Sequence, residues 1–79
     1  MTNLEKYKNA FYEAFQIDES KLIGLIYQAI PTWDSVGHMA LVAALEQEFE
    51  IMMETDDIID LSSYEKGIEI LSKNYEIVF

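Results

Sequence analysis

Only around residues 31–39, in the stretch PTWDSVGHM, does the chain bring an acid, a hydroxyl and an imidazole within one helical turn of each other: Asp34, Ser35 and His38. A hydrolytic triad would need a base held against the serine inside an enclosed site. His38 has the spacing but no such pocket around it, and is expected to be a partly exposed helix residue. Zinc needs several convergent His, Cys or carboxylate ligands, whereas the chain has one His and no Cys. The acid run ETDDIID lacks the D-x-D-x-D-G spacing and the bidentate Glu of a calcium loop. Paired carboxylates abound, but nothing places two of them in an apolar cleft where their acidities would separate. No catalytic residue and no metal site is assigned, and the chain is not expected to be an enzyme.

What remains is a serine at the mouth of a helix. The first N–H groups of a helix are unpaired and its dipole is positive there, so a phosphate ester on Ser35 would be favoured electrostatically. Position alone equally allows Ser35 to share the capping of the helix with Asp34.

Helical periodicity supplies the elements that would hold this stretch. Leu4, Tyr7, Phe11, Ala14 and Phe15 form the apolar stripe of a first helix, with Thr2 or Asn3 as its cap. Residues 16–33 mix apolar pairs with Gly24 and run to the only proline, Pro31, which predicts a long ordered loop with one helical turn at most. Leu22, Ile23, Leu25, Ile26, Tyr27 and Ile30 are too many for a solvated linker, so the loop should pack across the bundle. From Asp34 to Glu50 the pattern is helical again, with Leu41, Val42, Leu45 and Phe49 on one face. Asp34 is the natural cap, its carboxylate in reach of the Val36 and Gly37 N–H groups. TDDIIDL then predicts a short third helix capped by Thr55, with Asp56 and Asp57 in the first turn. Ser62 and Glu65 have the spacing of a capping box for a last helix striped by Tyr64, Ile68, Leu71 and Tyr75. Gly67 would admit a close neighbour, and the apolar ending EIVF should fold back on the bundle. The expected fold is all-α: one domain over residues 1–79, with three main helices, a short third helix and a long first loop.

A chain of 79 residues buries only about 60% of its unfolded surface, which leaves little room for a catalytic cleft. Hydrophobic residues make up 51% of it, enough for a core. Five lysines and no arginine face fifteen acids, for a net charge of −10. Nucleic acid and anionic membranes would be repelled and basic partners attracted. Between Lys21 and Lys66 the charged residues are all acids, Glu46, Glu48, Asp56 and Asp57 among them. The charged N-terminus is unlike a signal peptide, and no 18-residue apolar run is present to span a bilayer. A cytoplasmic monomer is expected.

The stretch WDSVGHMALVAALEQEFEI resembles the phosphopantetheine attachment region of acyl carrier proteins. There a D-S-[LV] triplet opens the second helix and an L-E-x-E-F ending closes it, here Asp34, Ser35, Val36 and then Leu45, Glu46, Glu48, Phe49. The likeness runs without gaps through the acidic third helix, Thr55 to Leu61, and the Ser62, Ser63, Tyr64 entry to the last, over roughly residues 3–73. It implies an acyl-carrier-like four-helix bundle in which Ser35 receives a 4'-phosphopantetheine arm from coenzyme A, beside Asp34. An acyl group would then ride on the arm as a thioester, with Leu41, Val42, Leu45, Phe49, Ile68 and Leu71 forming the core and part of an acyl pocket. The implied partners are a phosphopantetheinyl transferase and an acyl-activating ligase or acyltransferase with a basic docking surface. Val36, Ala40 and Ala43, beside Glu46, Glu48, Asp56 and Asp57, would form the recognition face. Pro31, Thr32 and Trp33 replace the family's common glycine lead-in, and alanines 40 and 43 stand where carriers of fatty acid synthesis commonly have Glu and Met. The wording W-D-S-V-G-H-M is more like discrete, specialised carriers. An aminoacyl or hydroxyacyl carrier of the same fold, and a cofactor-free acidic helical adaptor, are the alternatives.

Overall fold

A computed structural model describes residues 2–79. Four α-helices follow in order: α1 (Asn3–Phe15), α2 (Ser35–Phe49), α3 (Thr55–Asp60) and α4 (Tyr64–Asn74). The fold is all-helical, as expected, and a single 3₁₀ turn at Glu19–Lys21 interrupts the long first loop.

Local chemistry explains most of the boundaries. Thr2 caps α1 through a capping box: its Oγ1 accepts from the Glu5 N–H and the Glu5 carboxylate accepts from the Thr2 N–H. Asp34 caps α2, accepting from Gly37 N–H at 2.8 Å and not, as the spacing also allowed, from Val36. Two boundaries move from their expected places. Thr55 is the first residue of α3 rather than its cap, and Glu54 at the cap position makes no side-chain bond. The last helix is capped by Ser63, whose Oγ accepts from Lys66 N–H at 2.9 Å, not by a Ser62–Glu65 box. The cause lies in the first loop. Tyr64 N–H donates to Leu25 O at 2.9 Å and Tyr27 N–H to Ser62 O at 2.8 Å, so the chain stays extended through Ser63 and the helix starts one residue later. Glu65 is drawn away as well, accepting from Gly24 N–H at 3.0 Å.

The loop is thus stitched to the start of α4, yet only Leu22 and Leu25 of its apolar residues sink into the core. Ile23 and Ile26 stay 78% and 55% exposed. The interior is aromatic. Tyr7, Phe11, Phe15, Trp33 and Tyr64 form a continuous cluster with ring centroids 5.0–5.8 Å apart, mostly edge to face. Leu41, Val42 and Leu45 of α2, Leu61, and Leu71 of α4 close around it. Phe49 and Ile68 pack at its edge. The terminal residues fold back as expected: Phe79 packs on Tyr7 and Phe49, and Asn3 donates to Val78 O.

Gly67 is needed where it stands, because a Cβ there would overlap the Tyr7 hydroxyl and come within 2.8 Å of Leu61. That hydroxyl donates to Tyr64 O at 2.7 Å. Burial holds the Tyr7 phenol well above the ordinary range, and Tyr64 and Glu65 push the same way. The folded state therefore keeps the proton where an unfolded tyrosine, ionising near pH ~10, gives it up. Stability from Tyr7 is complete below about pH 10 and falls by about 1.4 kcal/mol per pH unit above it. Tyr7→Phe should cost about 1–3 kcal/mol at neutral pH, because the Tyr64 carbonyl loses its donor, and should flatten this alkaline slope. Urea melts at pH 7 and at pH 11 check both.

Candidate functional site

Ser35 is the first residue of α2 and is exposed. Its hydroxyl makes no side-chain hydrogen bond among the described residues, since capping is done by Asp34. The sharing of the cap that position alone allowed is absent. Asp34 and Val36 on either side are exposed too, so the hydroxyl stands clear at the amino end of a helix 15 residues long. Around it the helix dipole is positive and the first N–H groups point outward.

The chain reaches this point through a rigid approach. Trp33 is fully buried, stacked on Phe15 at 5.2 Å, with Phe11 and Tyr27 at its edges. Its indole N–H donates to His38 Nδ1 at 3.0 Å. Because an indole nitrogen can only donate, Nδ1 must be the acceptor, and the ring proton sits on Nε2. That N–H donates in turn to Ile58 O at 2.7 Å. His38 is therefore a half-buried strut from Trp33 through α2 to α3. Neither ring nitrogen is free to take a proton from Ser35. The sequence showed a lone imidazole; its partners lie five residues back and twenty residues on.

Gly37 is the second feature that sequence reading passed over. The Thr32 carbonyl lies against it so closely that a Cβ would overlap the oxygen and come within 3.2 Å of the Phe15 ring. Alanine favours a helix over glycine by about 1 kcal/mol, so Gly37→Ala would ordinarily stabilise. Here overpacking against a backbone carbonyl should win, at a net cost of about 1–3 kcal/mol, and displace the Thr32–Asp34 approach. A melting curve reads the cost, and a gain in stability would show that the approach yields easily.

On the outer side of α2, Val36 (78% exposed), Met39 (52%), Ala40 and Ala43 share one stripe at helical spacing. With Leu41, Val42, Ala44 and Leu45 buried, α2 is apolar on two faces, one of which no other element covers. Such a face on a small domain marks a contact surface. Met39 was missed in the sequence, although its spacing of three from Val36 was there to be read. Ile59 of α3 is also 72% exposed.

The four acids expected beside this stripe divide. Glu46 accepts from Met53 N–H at 2.9 Å and Glu48 from Asn9 Nδ2 at 3.3 Å, both half-buried. Asp57 accepts from Asn74 and from the Tyr75 hydroxyl, at 2.8 and 2.7 Å. Burial, and then the Asp57 carboxylate, hold the Tyr75 phenol above its usual range. Asp56 alone of the four is exposed, with Asp34, Glu54 and Asp60 as further exposed acids in this part of the chain.

A cavity of about 250 Å³ opens between α2, α3 and the first loop, lined by Tyr27, His38, Ile58, Ile59, Leu61 and Ser62. His38 lies one turn beyond Ser35 on α2. A larger depression, about 480 Å³, lies against α1 between Lys8, Tyr12 and Leu22 and holds none of the candidate residues. Among the described residues no His, Cys, Asp or Glu cluster could hold a metal ion. No helix there is long and apolar enough to cross a membrane.

Comparison of the chain with protein-family models, curated proteins and solved structures finds no match. The functional reading therefore rests on the residues and their geometry.

Proposed function

We propose that this chain is a carrier protein whose Ser35 bears a 4'-phosphopantetheine arm. The observation that carries the reading is an exposed, unengaged serine hydroxyl at the first position of a long helix, with the capping done by its neighbour. The residues fit the group: outward-pointing N–H groups and the helix dipole suit a phosphodiester, and no side chain has to move to reach the oxygen. Attachment forms one bond, Ser35 Oγ to phosphorus, and breaks the pyrophosphate linkage of coenzyme A. Adenosine 3',5'-bisphosphate leaves, and the hydroxyl proton passes to a base of the transferase. Once attached, the arm supplies a thiol on which an acyl group is held as a thioester at high local concentration for partner enzymes.

The chain's own residues do the remaining work. Asp34 and Gly37 fix the start of the helix, and Trp33 and His38 hold the approach rigid. Val36, Met39, Ala40 and Ala43 offer an apolar contact, with Asp34, Asp56 and Asp60 as free charge for a basic transferase and a basic ligase or acyltransferase. Coenzyme A as donor places this work in the cytoplasm. The cargo belongs to a specialised pathway, since alanines 40 and 43 make this contact face smaller and less charged than in carriers of fatty acid synthesis.

Incubation with coenzyme A and a promiscuous phosphopantetheinyl transferase, read by intact mass, tests the proposal. A gain of one phosphopantetheine group supports it. No gain would leave a cofactor-free adaptor using the same apolar face. Encounter with the transferase should also be steered by charge. Raising ionic strength from about 0.01 to 0.15 M shortens the screening length from about 30 to 8 Å, and the second-order rate should fall about tenfold or more. A salt-independent rate would remove the steering role of the acids.

A further inference from the structure

We infer that the cargo of this carrier is a short acyl group that stays at the surface, its end lodged in the cavity between Tyr27, His38, Ile58 and Ile59. The inference rests on the carrier reading of Ser35 and adds the class of substrate. Three observations support it. First, the region that a long chain would have to enter is filled: Trp33, Leu41 and Leu45 are fully buried, and Val42, Leu61 and Leu71 are at most 2% exposed. Second, the seam between α2 and α3 is closed by the relay from the Trp33 indole N–H through His38 to Ile58 O, at 3.0 and 2.7 Å. Separating the two helices to admit a chain breaks the His38–Ile58 bond. If His38 swings out, the buried indole N–H is left without an acceptor. Third, every buried side-chain nitrogen and oxygen among the described residues has a partner, so the interior holds no polar gap for water to prop open.

The space left is the cavity outside this seam, bounded by apolar side chains of Ile58, Ile59 and Leu61 and by the Tyr27 and His38 rings. Its 250 Å³, at about 30 Å³ for each water-sized group, takes about eight such groups. With the thioester sulfur and carbonyl oxygen counted in, about six carbons fit by the same measure.

The test loads the wild-type protein with acetyl, butanoyl, hexanoyl, octanoyl and dodecanoyl arms from the corresponding coenzyme A thioesters. Loading is checked by intact mass. The readouts are the melting temperature, the emission of Trp33, which is the only tryptophan, and the rate at which hydroxylamine cleaves the thioester. Melting temperature should rise from acetyl to hexanoyl and then level off, with Trp33 emission constant. The dodecanoyl thioester should be cleaved within about twofold of the rate for a small free thioester. A melting temperature that climbs through dodecanoyl, with a Trp33 shift and tenfold or greater protection, would overturn the inference by showing that the core opens. A flat series would overturn it by showing that the cavity is unused. If no thioester adds mass at Ser35, the carrier reading falls and takes the inference with it; if mass is added and the trend differs, only the chain-length inference falls.

Discussion

Replacing Trp33 with Ala is expected to cost about 3–5 kcal/mol, the range for removing a large aromatic side chain from a packed core. A chain of 79 residues has about 4–12 kcal/mol of stability in all, at about 0.05–0.15 kcal/mol per residue. The variant should therefore lie close to its unfolding midpoint at room temperature. At about 4–8 °C per kcal/mol for a domain this size, its melting point should fall by more than 12 °C or so. Loss of packing is one part: Trp33 touches Phe11, Phe15 and Tyr27, which belong to α1 and the first loop. The other part is the His38 relay, which loses its donor. Trp33→Phe separates the two, since it keeps an aromatic in place but removes the N–H. It should cost about 1–3 kcal/mol, the loss expected when a buried acceptor is left unpaired. A Trp33→Ala loss under 1 kcal/mol would mean that the indole is a filler and not the keystone of the approach to Ser35.

Ser35→Ala should have the opposite profile, with modification abolished and stability kept. Its hydroxyl makes no side-chain bond among the described residues and Asp34 supplies the cap, so the change removes a group that the fold does not use. Surface substitutions of that kind stay within about 0.5 kcal/mol. With coenzyme A and the transferase present, the variant should gain no mass while its melting curve overlays the wild type. A destabilised Ser35→Ala would point to a capping role that the geometry does not show.

How far the sequence reveals this molecule depends on how far apart the interacting residues lie. The helices were legible because their stripes repeat within a few residues: Tyr7, Phe11 and Phe15 on α1, and Leu41, Val42 and Leu45 on α2, lie in the core as the periodicity required. Caps were legible where one side chain meets a nearby N–H, as at Thr2 and Asp34. They were misplaced where a distant segment competes. Ser63 caps α4 because the loop at Leu25 and Tyr27 holds the preceding residues extended, and no local pattern encodes that pairing.

The same distinction runs through the site. The exposure of Ser35 followed from its place before the first buried turn of α2. The role of His38 did not, since a carbonyl twenty residues away defines it. Net charge was readable as a sum, and its free part was not: Glu46, Glu48 and Asp57 are spent on N–H and O–H donors of Met53, Asn9, Asn74 and Tyr75. Gly37 looked like an ordinary glycine in a helix until the Thr32 carbonyl was seen against it.

The central claim is that the hydroxyl of residue 35, out of the five serines at 20, 35, 62, 63 and 72, accepts the arm. Fragmentation mass spectrometry of the protein after incubation with coenzyme A and transferase reads this directly. One phosphopantetheine phosphodiester on the peptide containing Asp34, Ser35 and Val36, and none elsewhere, is the predicted result. An unmodified Ser35, or an arm on another serine, would contradict it.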